Sequence, residues 1–134
     1  TYTDSGFIVQ VKTEDLNNDS NKDIVLVTSK SNTYEVKILT GQGNGRFNTP
    51  ITLSGIFSIE LTDINNDNLN DIVGLGPSNK VISYLNNGNL SFSKIESTTS
   101  VTGTTNPVSV GDFNKDGLKD LAIVSPSKGN VTIL

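Results

Sequence analysis

The feature that most limits how this chain can fold is a repeat. The segments "EDLNNDSNKDIVLVTS" from Glu14, "TDINNDNLNDIVGLG" from Thr62 and "GDFNKDGLKDLAIVS" from Gly111 share one pattern. Asp15, Asp63 and Asp112 open the three loops, so the period is about 48 residues, typical of repeat architectures such as propeller blades. A unit of that size must bury its apolar face against its neighbours, because it is too small to bury it alone.

The flanks repeat with the loops. An alternating segment precedes each loop ("FIVQVKT", "IFSIEL", "NPVSV"), and a compact apolar one follows ("DIVLV", "DIVGL", "DLAIV"). Alternation predicts a strand with two unlike faces, and the continuous apolar run predicts a strand covered on both. A third strand is predicted in "YEVKILT", "KVISYLN" and "NVTIL". The turns "GQGNGRF" and "NNGNLSF", rich in residues that tolerate positive φ, then lead to fourth strands in "PITLS" and "SKIEST". Four antiparallel strands in about 48 residues make one propeller blade. The expected fold is therefore all-β, one repeat region over 1–134, with blades at about 7–54, 55–103 and 104–134. The last lacks its fourth strand, and residues 1–4 fall where the fourth strand of a preceding blade would lie. The expectation is a larger propeller or an assembly, since each blade face needs a cover. The chain begins at Thr1 and contains no Met, which suggests a mature form or a segment of something longer.

Composition narrows the chemistry. The 17 Asn, 15 Ser and 15 Thr suit short strands joined by many turns, while Ala122 is the only alanine. Without Cys there is no disulfide framework or thiolate, and without His the usual zinc sites and Ser-His-Asp catalysis are excluded. Nine of the 14 acidic residues lie in the three loops, so the net charge of −4 is a local property and the rest of the chain is net positive. No basic surface interleaved with aromatics suggests nucleic acid, and no apolar run approaches the roughly 20 residues of a membrane span. Tyr34 and Tyr84 read as packed aromatics in third strands.

The loops carry the chemical signal. Side-chain oxygens stand at positions 1, 3, 5 and 9: Asp15, Asn17, Asp19 and Asp23; Asp63, Asn65, Asp67 and Asp71; Asp112, Asn114, Asp116 and Asp120. Oxygen-only donors, several of them carboxylates, suit a hard cation, and calcium accepts six to eight oxygens in flexible geometry. The carbonyl at position 7 (Asn21, Leu69, Leu118) completes the expected ring, giving up to three Ca2+. An EF-hand is excluded by its twelfth position, which here is Leu26, Gly74 or Ile123, and by strands on both flanks. Position 6 favours the left-handed region, which ranks the third loop (Gly117) first and the first loop (Ser20) last. Lys22, Lys115 and Lys119 must point away from any ion. The competing interpretation is a set of solvated turns in which Asx side chains cap their own backbone. The common period and the fixed offset of the fourth Asp weigh against it.

The pattern D-x-[D/N]-x-D-x-x-x-D followed by an apolar strand resembles the FG-GAP repeat of integrin α-subunit propellers and its bacterial relatives, among them VCBS-type repeats and some propeller lectins. "DIVGLGPSNKVISYL" resembles the family's strand, glycine–proline turn and next strand, and "GQGNGRF" its glycine-rich turn ending in Phe. The resemblance runs from about Phe7 to Leu134 and implies a β-propeller with one calcium per blade loop. The chain departs from the pattern in using Asn at position 3 throughout and in lacking Gly at position 6 of two loops.

The functional expectation is a non-catalytic, extracellular calcium-binding module for adhesion, assembly or surface display, with no catalytic residues assigned. The alternatives are a glycan-binding propeller, disfavoured by the absence of Trp, and the propeller part of a larger secreted enzyme. Expected partners are further blades or other copies of the chain, and a protein or glycan ligand. Asn18, Asn89 and Asn130 begin N-x-Ser/Thr sequons.

Overall fold

The computed structural model describes residues 1–100, 106–125 and 129–134, with the backbone alone for 98–100, 106 and 107. The fold is all-β. Three meanders, each in sequential antiparallel order, follow one another along the chain. Sheet one holds β1 (Phe7–Glu14), β2 (Asp23–Lys30), β3 (Thr33–Leu39) and β4 (Ile51–Ser54); sheet two holds β5 (Ser58–Thr62), β6 (Asp71–Leu75), β7 (Lys80–Asn86) and β8 (Phe92–Ser100). Sheet three holds β9 (Asn106–Gly111), β10 (Asp120–Ser125) and β11 (Asn130–Ile133). The boundary expected between residues 103 and 104 lies outside the described residues. Residues 1–4 form no strand. They fold back on sheet one, where Asp4 pairs with Lys37 at 2.7 Å and Tyr2 lines a cavity with Ile24, Leu39 and Phe47.

Register shows how the sheets stack. Val25 pairs with Ile38 and Val27 with Val36, so these four side chains share the face turned towards sheet two. All four are fully buried there, with Ile59, Ile72, Ile82 and Tyr84 opposite them in the same cluster. Each contributes about 1.5–3 kcal/mol by leaving water. The same step recurs once. Val73 and Leu75 of sheet two meet Val108, Leu121 and Ile123 of sheet three in a second cluster. The second strand of sheet two is thus covered on both faces, which is why its apolar run is continuous, whereas β10 of sheet three has one covered face.

Within sheet two, β5 and β6 approach closely enough to require a particular residue. A Cβ on Gly74 would lie 1.9 Å from the Ser58 carbonyl oxygen, so only glycine fits the middle of β6. The first strands of successive sheets run side by side. Between β1 and β5 the Gln10 side chain imitates a strand: its Nε2 donates to the Ile59 carbonyl at 3.0 Å and its Oε1 accepts the Ile59 N–H at 2.9 Å. Beside it Lys12 reaches Glu60 at 2.9 Å. Tyr84 and Tyr34 are packed aromatics as expected: Tyr84 is buried and its hydroxyl donates to the Ser54 carbonyl at 2.6 Å, and the Tyr34 ring stands 5.6 Å from Phe57.

Candidate metal centre

Each loop joins the first and second strands of its sheet, and all three close with the same hydrogen bonds. The position 1 aspartate receives two backbone N–H groups. In the first loop Asp15 Oδ1 accepts from Asp19 at 3.2 Å and Oδ2 from Ser20 at 2.8 Å; Asp63 and Asp112 repeat both bonds within 0.2 Å. Asn17, Asn65 and Asn114 each accept the same position 5 N–H on Oδ1 and donate from Nδ2 to the position 5 carboxylate. Asp19, Asp67 and Asp116 in turn accept the N–H of position 7, at 2.8, 2.8 and 2.7 Å. Positions 1, 3 and 5 therefore gather their side-chain oxygens around one turn. At position 7 the shown contact of Asn21, Leu69 and Leu118 is this N–H donation.

The turn depends on two left-handed residues. Position 6 has φ of 69° at Ser20, 68° at Asn68 and 86° at Gly117, so all three loops adopt the conformation that the sequence suggested. The ranking of the loops by their sixth residue has no counterpart in the geometry. Position 4 is left-handed as well, at Asn18, Asn66 and Lys115. Asparagine in two of the three was a signal for it, since Asn tolerates this region, whereas lysine gave none.

The ninth aspartates are placed differently. Asp23 and Asp71 are fully buried behind the turn. Asp23 Oδ2 accepts the Leu16 N–H at 2.9 Å and Oδ1 the Gly41 N–H at 2.9 Å. Asp71 does the same with Ile64 and Asn86. Asp120 keeps the first bond, to the Phe113 N–H at 2.8 Å, and is only partly buried. These carboxylates fasten each loop to the strand ends around it, a role that the uniform 1-3-5-9 spacing did not reveal.

The electrostatics of the second loop follow from this placement. Burial holds the Asp71 carboxyl above its ordinary value, the N–H groups of Asn86 and Ile64 work against that, and Asp67 and Asp63 push it further up. In the first loop the Asn21 N–H and then the Asn17 amide hold Asp19 below its ordinary value. Among the described residues no lysine or arginine pairs with any of the nine loop aspartates; Lys22 turns away to Glu14.

The donor set fits a hard cation at positions 1, 3 and 5. Two carboxylates and an amide oxygen meet at one turn with no lysine or arginine paired to them among the described residues, and each carboxylate oxygen that accepts one N–H retains a second lone pair. Among the described residues no three carboxylates are grouped about one point. An ion here would rest on two aspartates, one asparagine and backbone carbonyls, with the ninth aspartate behind them.

The loops differ in their cover. Leu16, at position 2 of the first loop, is buried in the cluster between sheets one and two; Ile64 is half-buried, and Phe113 is 53% exposed. Asn86 of β7 reaches back to the first loop, with Nδ2 2.7 Å from the Leu16 carbonyl oxygen. Neither contact was visible in the sequence, because each joins one repeat to the next.

Compared with known protein families, the chain matches the model of the FG-GAP-like repeat twice, over residues 15–73 and 63–123. No curated protein matches it.

Proposed function

The chain belongs to the FG-GAP-like repeat family, and from that premise we propose that it is a non-catalytic, calcium-binding repeat module of the extracellular space, serving adhesion, assembly or surface display. The observation that carries this reading is the threefold recurrence of one oxygen-lined turn, identical in its hydrogen bonds, whose aspartates pair with no lysine or arginine among the described residues. Asp15, Asn17 and Asp19, and their equivalents in the other loops, would hold the ion. Bound calcium would neutralise carboxylates that otherwise repel one another, and the millimolar calcium outside cells fills even weak sites of this kind.

Exposed apolar side chains support an assembly role. Val124, Val131 and Ile133 lie on one face of sheet three, and Phe7, Val9 and Val11 on β1, all more than a third exposed. A further blade of the same repeat, from this chain or another copy, has the chemistry to cover them. The loop aspartates are engaged by backbone N–H groups, which supports a binding role over acid–base catalysis.

Isothermal titration with calcium tests the reading. Saturable uptake of up to three ions is expected, weaker or absent with magnesium, and one site fewer in Asp63→Asn/Asp67→Asn. No uptake at millimolar calcium overturns it.

A further inference from the structure

We infer that Asn86 ties the first two loops into one cooperative unit, so that ordering either loop orders the other, while the third loop responds alone. The tie is a continuous chain of hydrogen bonds. Asp71 Oδ1, in the second loop, accepts the Asn86 N–H at 2.8 Å. The Asn86 Nδ2 donates at 2.7 Å to the carbonyl of Leu16, in the first loop. The Leu16 N–H then donates to Asp23 Oδ2 at 2.9 Å. Two buried carboxylates, one closing each loop, are thus joined through a single buried amide.

The amide is fully committed. Asn86 is 1% exposed; its second Nδ2 hydrogen goes to the Asn70 carbonyl at 3.1 Å, and its Oδ1 accepts the Gly88 N–H at 3.1 Å. Exchanging its oxygen and nitrogen would set an oxygen against two carbonyls, so the network itself fixes the orientation. Leu16 adds a packing link, because its side chain sits in the cluster that Ile72 and Tyr84 of sheet two also form. A shift of the first loop therefore breaks a buried hydrogen bond and opens an apolar contact together. Each is costly to leave unmade.

The other sheets supply the control. In sheet one the residue that donates its N–H to the ninth aspartate is Gly41, which has no side chain to reach elsewhere. Among the described residues nothing reaches the Ile64 carbonyl of the second loop in the manner of Asn86. Among the described residues the tie is made at the junction of sheets one and two.

For cation uptake this inference rests on the calcium reading above; for loop order it does not. Both are tested by residue-resolved amide exchange, first without calcium and then across a calcium titration. In the ion-free protein, Asn86→Ala should speed exchange at Leu16, Asp19 and Ser20 about tenfold, the effect of losing one buried hydrogen bond, with Gly117 and Leu118 unchanged. Asp63→Asn/Asp67→Asn, which leaves the Asn86 contacts intact, should loosen the first loop in the same direction, and should no longer do so once Asn86 is alanine. First-loop exchange unaffected by either variant overturns the tie. With calcium, the first two loops should gain protection at one concentration in the wild type and at separate concentrations in Asn86→Ala. Separate transitions already in the wild type contradict coupled uptake. No change with calcium in any loop contradicts the calcium reading and leaves the ion-free result to decide the tie.

Discussion

Sheets one and three present the same repeat positions on the face turned towards the next blade, and their surroundings could hardly differ more. In sheet one Val25, Val27, Val36 and Ile38 are fully buried under sheet two. In sheet three the register places Ala122, Val124, Val131 and Ile133 at those positions, and Val124, Val131 and Ile133 are 36%, 59% and 50% exposed. Sheet two lies between: Val73 and Leu75 are buried, while Val81 and Ser83 line a cavity of about 350 Å3 with Ile64 and Leu121. The side chains are alike, so the neighbour makes the difference. A blade of this family is a half-finished core, completed by whatever packs on its open face.

The largest expected effect tests this directly. Ile38→Ala should cost about 2–5 kcal/mol in denaturant unfolding, as buried aliphatic truncations do, whereas Ile133→Ala at the matching position should stay within about 0.5 kcal/mol. Equal losses would break the comparison. Next come the carboxylates behind the loops. Asp23→Asn presents an amide N–H to one of two buried N–H groups and should cost about 2 kcal/mol, with Asp120→Asn nearer 1 kcal/mol or less. Paired melts in calcium-free buffer check both. Tyr84→Phe removes the bond to the Ser54 carbonyl that ties β7 to β4, and about 1 kcal/mol should follow.

The smallest effect concerns acid. The Lys37 ammonium, with the Gly6 N–H and the Tyr2 hydroxyl, holds the Asp4 carboxyl down from its ordinary 3.8 to about 2. A carboxyl depressed in the folded state adds stability above its unfolded value and loses it as pH falls towards the folded one. Between about pH 4 and pH 2 the wild type should therefore lose stability more steeply than Asp4→Asn. Parallel slopes would remove the N-terminal segment from the account of how sheet one's other face is covered.

These contrasts also separate what the sequence made legible from what it hid. The period, the strand order and the loops were all readable, because each is encoded within about 50 consecutive residues. The left-handed sixth residues followed from the same local logic. What escaped notice crosses from one repeat to the next. Gln10 posing as a strand for Ile59 and Asn86 reaching Leu16 depend on which faces meet, and no single repeat specifies that. The anchoring by the ninth aspartates was hidden for another reason. Their spacing is equally compatible with an ion ligand and with a staple for backbone N–H groups, and the staple shows only once the strand ends are in place around them.

The central claim, that the repeated loops are cation-filled corners on which the stacked sheets depend, is met most directly by thermal melting in calcium and in chelator. Calcium at 100 times its dissociation constant should add about 2.7 kcal/mol for each site filled, so the melting temperature should fall sharply in EDTA and recover with calcium but not with magnesium. Superimposable melts in calcium and EDTA would contradict it.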